Sequence, residues 1–176
     1  MTRLVIGAVV CLIAAPAELA AHRLDEYLQA ARLSLGRSVI GLEVDMTPGV
    51  NVDGPIVALL DRNDDGAISP AEAGEYGESL LGDLVLEIDG RAVALTLTRV
   101  EISPRDDLMD GLGTIQLRAI GRVSSSATGR RHLYFRNEHR PAESAYLFNT
   151  LAPEDAAVSV VSQIRDSVQQ AVRGEY

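Results

Sequence analysis

The sequence predicts a mainly β chain with one α insertion, arranged as an antiparallel β-sandwich. Three observations predict it. Apolar residues recur at period two in stretches on both sides of a central segment. Turn-forming residues separate those stretches, with Asp89-Gly90 the strongest hairpin signal. Between them, residues 53–82 change to helical spacing, which marks a helix pair inserted between strands.

Taken in chain order, Gln29, Ala31, Leu33 and Leu35 form one face of a first strand. Ile40, Leu42, Val44 and Met46 form one face of a second. Gly36-Arg37 is the turn between them, and Thr47-Pro48-Gly49 ends the unit. Asp53-Gly54-Pro55 then starts a short helix, with Asp53 as N-cap and Pro55 tolerated in the first turn. Ile56, Val57, Leu59 and Leu60 are its apolar side. A second helix begins at Pro70, with a stripe at Ala73, Tyr76, Leu80 and Leu84. Leu84, Leu86 and Ile88, followed by Val93, Leu95 and Leu97, flank the Asp89-Gly90 turn. Further strands are expected at Gly113–Ile120, Arg131–Arg136 and Ser144–Thr150, with Gly121–Gly129 a Ser/Gly-rich loop. In the tail, Val158 and Val160 suit a strand, whereas Val161, Ile164, Val168 and Val172 also suit a helix. The β character of the rest favours strands. So many short strands suit a sandwich of the immunoglobulin-like kind.

The chain of 176 residues is long enough for one domain with a core of its own, expected over residues 22–176. Residues 1–21 read as a signal peptide. Arg3 gives a positive start, and Leu4–Ala15 is an apolar run too short to span a bilayer. Small residues at Ala17, Ala20 and Ala21 then offer cleavage sites. The lone cysteine, Cys11, falls inside that run behind Val10, so neither a lipid anchor nor a disulfide is expected. No later segment is apolar for 18 residues, so no transmembrane segment is expected in the mature chain. The expected location is periplasmic or secreted. A net charge of −9 is the wrong sign for a nucleic-acid partner and suits an attraction for cations.

The chemistry-bearing motif is Asp61-Arg62-Asn63-Asp64-Asp65-Gly66-Ala67-Ile68-Ser69-Pro70-Ala71-Glu72. It fills the EF-hand calcium-loop template at every specified position. Ca²⁺ is a hard ion that takes six to eight oxygens. The spacing lets the side chains of Asp61, Asn63 and Asp65 converge, and Gly66 permits the sharp reversal. Ala67 offers its backbone carbonyl, Ser69 acts directly or through a water, and Glu72 offers both carboxylate oxygens. Ile68 stands where such loops turn an apolar side chain inward. Ser69 and Glu72 also make a capping box, which sets the closing ligand in the first turn of the second helix. A bidentate Glu favours Ca²⁺ over Mg²⁺, which demands a tight octahedron. No second loop is found: Asp106–Leu117 contains Asp110-Gly111 but ends in Leu117. A single loop is expected to bind weakly, with Kd of roughly 10⁻⁴–10⁻³ M.

The other candidates are fewer. Cleavage after Ala21 would make His22 the first residue, where an amine and an imidazole together can hold Ni²⁺ or Cu²⁺. His132 and His139 flank one expected strand and read as surface residues. No Gly-x-Ser-x-Gly elbow is present, so no catalytic residue is assigned and no enzyme activity is expected.

Residues 53–82 resemble the EF-hand superfamily. The segments AHRLDEYLQA, TPGV, DRNDDGAISPAEA, LVLEIDGRAVALTL and FRNEHRPAESAYLFN resemble a group of exported bacterial proteins. They are also similar to the extracytoplasmic N-terminal domain of nickel/cobalt transporter-type and hydrogenase/urease accessory membrane proteins. That resemblance implies a β-sandwich with an inserted hand and a protein partner at the cell envelope. It also implies an alternative role, as an accessory that presents transition metal through His22 next to a transporter.

Overall fold

A computed structural model describes residues 25–124, 129–151, 153 and 156–176. The expected signal peptide, Cys11, His22 and residues 125–128 of the Ser/Gly-rich loop lie outside them. The structure is mainly β, with two five-stranded sheets and few helices.

Strands β1 (Tyr27–Leu35) and β2 (Val39–Pro48) pair antiparallel with Leu33 opposite Leu42. The Gly36 amide donates to the Val39 carbonyl at 3.0 Å and closes the turn. The alternation read from sequence is obeyed: Gln29, Ala31, Leu33 and Leu35, and Ile40, Leu42, Val44 and Met46 on the partner, are buried. Helices α1 (Asp53–Leu60) and α2 (Pro70–Gly82) follow. Asp53 is not the N-cap. Val52 holds that position without a side-chain bond, while the Asp53 carboxylate accepts from the next amide, of Gly54. An Asx contact of this kind competes with capping for the same oxygen.

Strand β3 (Leu84–Ile88) turns at Asp89-Gly90 as expected, both residues having positive φ. The return strand β4 (Arg91–Ala92) lasts only two residues, however. The chain then crosses to the other sheet as β5 (Leu95–Ile102), so Leu95 and Leu97 do not pair with β3. Strand β6 (Ile115–Arg122) lies beside β5, and its Gly121 makes the crossing possible. A Cβ there would meet Val93 Cγ1 at 2.7 Å and Leu86 Cδ2 at 3.4 Å. Helix α3 (Arg105–Met109) interrupts the β5–β6 connection. It was not expected, although Pro104 and the acidic pair Asp106-Asp107 are ordinary signs of a helix start.

Strands β7 (His132–Asn137), β8 (Ser144–Leu151), β9 (Ser162–Arg165) and β10 (Ala171–Glu175) complete the sheets. The tail is therefore a hairpin of strands, although Val158 and Val160 lie outside it. The sheet orders are β5-β6-β2-β1-β8 and β4-β3-β7-β10-β9. One pair departs from the expected antiparallel pattern: β8 runs parallel to β1, with Tyr27 opposite Ser144. Parallel neighbours need a long connection, and the stretch from Leu35 to Ser144 separates these two.

One apolar core takes residues from both sheets and from α1, α2 and α3, among them Leu33, Phe135, Ile56, Leu80 and Leu108. Phe135 of β7 and Phe148 of β8 meet across it with ring centroids 5.2 Å apart. Helix α2 rests on β5 through Gly77, where a Cβ would lie 2.6 Å from Val100 Cγ2 and 2.9 Å from Leu97 Cδ2. A bulge between Leu97 and Arg99 shifts the pairing register in the middle of this contact. Gly77→Val is expected to overpack the contact and cost about 1–3 kcal/mol. Thermal unfolding checks this, and an unchanged melting temperature would contradict the close approach.

Candidate metal-binding loop

The residues between α1 and α2 are organised by their own side chains. Helix α1 ends where the Asp61 amide donates to the Val57 carbonyl at 2.8 Å. The Asp61 carboxylate then turns into the loop. Its Oδ1 accepts from the Asp65 amide and its Oδ2 from the Gly66 amide, each at 3.0 Å. Asn63 Oδ1 also accepts from the Asp65 amide, at 3.0 Å, and Asn63 Nδ2 donates to Asp65 Oδ2 at 2.9 Å. Asp65 Oδ1 accepts from the Ala67 amide at 2.9 Å. The reversal uses left-handed backbone at Asp64 (φ 55°) and Gly66 (φ 85°). Aspartate tolerates that region better than most residues, and glycine enters it without strain.

Glu72 closes the ring from the other side. Its Oε1 accepts from the amides of Arg62 at 2.9 Å and Asn63 at 3.3 Å. Its Oε2 accepts from the Ser69 amide at 2.9 Å and the Ser69 hydroxyl at 2.7 Å. Ser69 Oγ in turn accepts from the Glu72 amide at 3.2 Å, which completes the expected capping box. These donors hold the Glu72 carboxyl at a pKa of about 2. The Ser69 hydroxyl is the largest cause, followed by the Ser69 amide, with the Asn63 and Arg62 amides adding to it. The group is thus ionised at any physiological pH. Ile68 packs against the core, as its loop position requires.

The structure therefore brings Asp61, Asn63, Asp65 and Glu72 into one hydrogen-bonded ring. Ser69 belongs to it as the cap of α2, and Ala67 through its amide. Among the described residues, no group of three or more His, Cys, Asp or Glu side chains forms a ready metal cluster. The motif supplies three such side chains, Asp61, Asp65 and Glu72, and each carboxylate is held by loop amides without the three gathering on one point. The donor chemistry nonetheless fits a hard cation: every candidate atom is an oxygen, and the carboxylates at the two ends of the loop both turn inward.

Two features were not foreseen. Arg105, the first residue of α3, brings its Nε to 3.7 Å from Asp61 Oδ2. The second is a buried polar chain beneath α2. The Tyr27 and Tyr76 hydroxyls are 2.6 Å apart, and Tyr76 Oη lies 3.0 Å from His139 Nε2. His139 Nδ1 lies 2.8 Å from Asp83 Oδ2. His139 is only 4% exposed and is not the surface residue expected from sequence. Its carbonyl accepts from Gln29 Nε2 at 2.9 Å and from the Tyr146 hydroxyl at 2.8 Å. Apart from the one to Tyr146, these contacts join residues 49 to 110 positions apart, so spacing carries no signal for them. Burial pushes the Tyr76 hydroxyl up to about 12. His132, by contrast, is exposed, with Nδ1 3.7 Å from Glu175.

Among the described residues no helix is long and apolar enough to cross a membrane. No known protein-family model matches the chain, and no curated protein is significantly similar to it in sequence.

Proposed function

We propose that the protein is an exported calcium-binding module. In this reading an immunoglobulin-like β-sandwich carries one EF-hand, inserted between β2 and β3, behind a cleaved leader of residues 1–21. The role is structural or interaction-related, and no catalytic residue is assigned. The supporting observation is the Glu72 carboxylate. It reaches from the first turn of α2 back to the amides of Arg62 and Asn63, at the α1 end of the loop. A closing ligand must span the loop in that way.

Each residue has a definite task. Asp61 orients its two oxygens by accepting from the Asp65 and Gly66 amides. Asn63 and Asp65 steady each other. Ser69 fixes the Glu72 carboxylate and caps its helix at once. A bound Ca²⁺ would supply a positive charge that offsets repulsion among the loop carboxylates and ties α1 to α2. With free ion at about ten times Kd, mass action would add on the order of 1.4 kcal/mol to fold stability.

Isothermal titration of the mature protein with Ca²⁺ tests the reading. Wild type is expected to bind with Kd of roughly 10⁻⁴–10⁻³ M, and Asp61→Ala to show no measurable binding. Equal binding by both proteins would reject it, as would a silent wild-type titration up to about 10 mM.

A further inference from the structure

We propose that Arg105 is the resident counter-ion of the loop, and that cation binding at Asp61 competes with it. The inference rests on the calcium reading and adds a determinant of affinity that lies outside the twelve-residue motif. Asp61 has almost no contact with solvent: its side chain is 2% exposed. An ionised carboxylate in that position needs a positive partner or strong donors. It receives two amide donors, from Asp65 and Gly66, and the guanidinium of Arg105 at 3.7 Å. Arg105 Nε is itself buried and has no hydrogen-bond partner, so its role there is that of a charge.

The local charge balance fits. Asp61, Asp64, Asp65 and Glu72 against Arg62 give the loop −3, and Arg105 brings the assembly to −2. Arg62 does not share this role, because its guanidinium turns outward to Glu75 at 2.6 Å. The guanidinium of Arg105 also has space to yield. It lines an open cleft of about 420 Å³ between Gly66–Ile68 of the loop and Ile102–Asp106 ahead of and within α3. Arg105 thus stabilises the metal-free loop and opposes a second positive charge on Asp61 Oδ2. Its removal must act with opposite sign on the two states. Because Arg105 begins α3, whose Leu108 is anchored in the core, cation binding also reaches the β5–β6 connection.

The test compares wild type, Arg105→Gln, Arg105→Lys and Arg62→Gln. Two readouts are taken: Ca²⁺ titration calorimetry, and the melting temperature in excess chelator. Arg105→Gln is expected to tighten Ca²⁺ binding on the order of fivefold or more, and to melt at a lower temperature than wild type in chelator. Arg105→Lys is expected to lie between them, since a lysine keeps the charge without the planar fork. Arg62→Gln is expected to shift affinity less and to leave the chelator melting temperature unchanged. Equal affinity in wild type and Arg105→Gln overturns the inference while the calcium reading stands. Equal tightening by Arg62→Gln also overturns it, because net charge alone would then account for the gain. A wild type that binds no Ca²⁺ overturns both, and the calorimetry separates these cases.

Discussion

Glu72→Gln is expected to lower Ca²⁺ affinity at least about a hundredfold, the upper end of what losing even an indirect metal contact costs. Both carboxylate oxygens of Glu72 face N–H or O–H donors, two on each oxygen. A glutamine can present an oxygen to only one of these pairs and must turn its own NH₂ toward the other. It therefore loses the second oxygen, the charge and the bridge across the loop in one step. A glutamine that keeps its oxygen toward Ser69 preserves the cap of α2 and gives up the bridge to the Arg62 and Asn63 amides instead. The sheets should be unaffected, because Tyr76, Leu80 and Leu81 anchor the rest of α2 in the core. Calorimetry checks the affinity and circular dichroism checks the fold. Retained affinity in a folded variant would show that Glu72 is only a helix cap.

His139→Ala is expected to give the largest loss of stability, about 2–4 kcal/mol, or roughly 6–12 °C in melting temperature. The imidazole links Asp83 to Tyr76, one helical turn beyond Glu72, and the Tyr76 hydroxyl carries the chain on to Tyr27 at the start of β1. Its removal leaves a cavity beside Tyr27 and Tyr76, whose rings meet it edge-on at centroid distances of 6.2 Å and 5.6 Å. It also leaves a Tyr76 hydroxyl with one partner fewer in a buried site, where an unmade hydrogen bond costs most.

The same residue gives the fold a pH dependence with a definite sign. Burial lowers the His139 pKa below its ordinary 6.5; the Asp83 carboxylate opposes the shift, as Glu143 does more weakly, and Arg140 adds to it. Tyr76 and Tyr27 face the ring but stay neutral, their own pKa values being raised. As pH falls below 6.5, the unfolded chain takes up the proton first. The stabilisation is therefore complete above that value and is lost as pH drops through the folded-state pKa. Denaturant titrations from pH 8 to 5 should show this decline in wild type, and a shallower one in His139→Asn. Identical slopes would mean that His139 is readily protonated in the folded state.

Much of the scaffold was legible because its signals are local. Period two at Gln29–Leu35 and Ile40–Met46 states which face is buried, and a one-residue slip would expose all of it. Asp89-Gly90 requires a turn whatever surrounds it. The loop is equally local: Asp61, Asn63, Asp65, Gly66, Ser69 and Glu72 satisfy one another within twelve residues. The Ser69–Glu72 capping box within it could therefore be anticipated from spacing alone. The errors share a physical origin too. Asp53 lost the N-cap position to Val52 through a contact with its immediate neighbour. The strand after Asp89-Gly90 was cut to Arg91–Ala92 because Gly121, far along the chain, leaves room for Val93 to pass.

What the order of residues determined was most of the elements, their buried faces and the hydrogen-bonded loop between α1 and α2. Tertiary structure alone decided which strands share a sheet, including the parallel union of β1 with β8. It also decided that His139 is a buried link under α2, and that Arg105 stands beside Asp61. Local patterns arise from steric and hydrogen-bonding choices within a few residues, which a sequence displays directly. Contacts such as Arg105 to Asp61 or His139 to Tyr76 exist only once the core has closed, because the burial of other side chains brings their partners together.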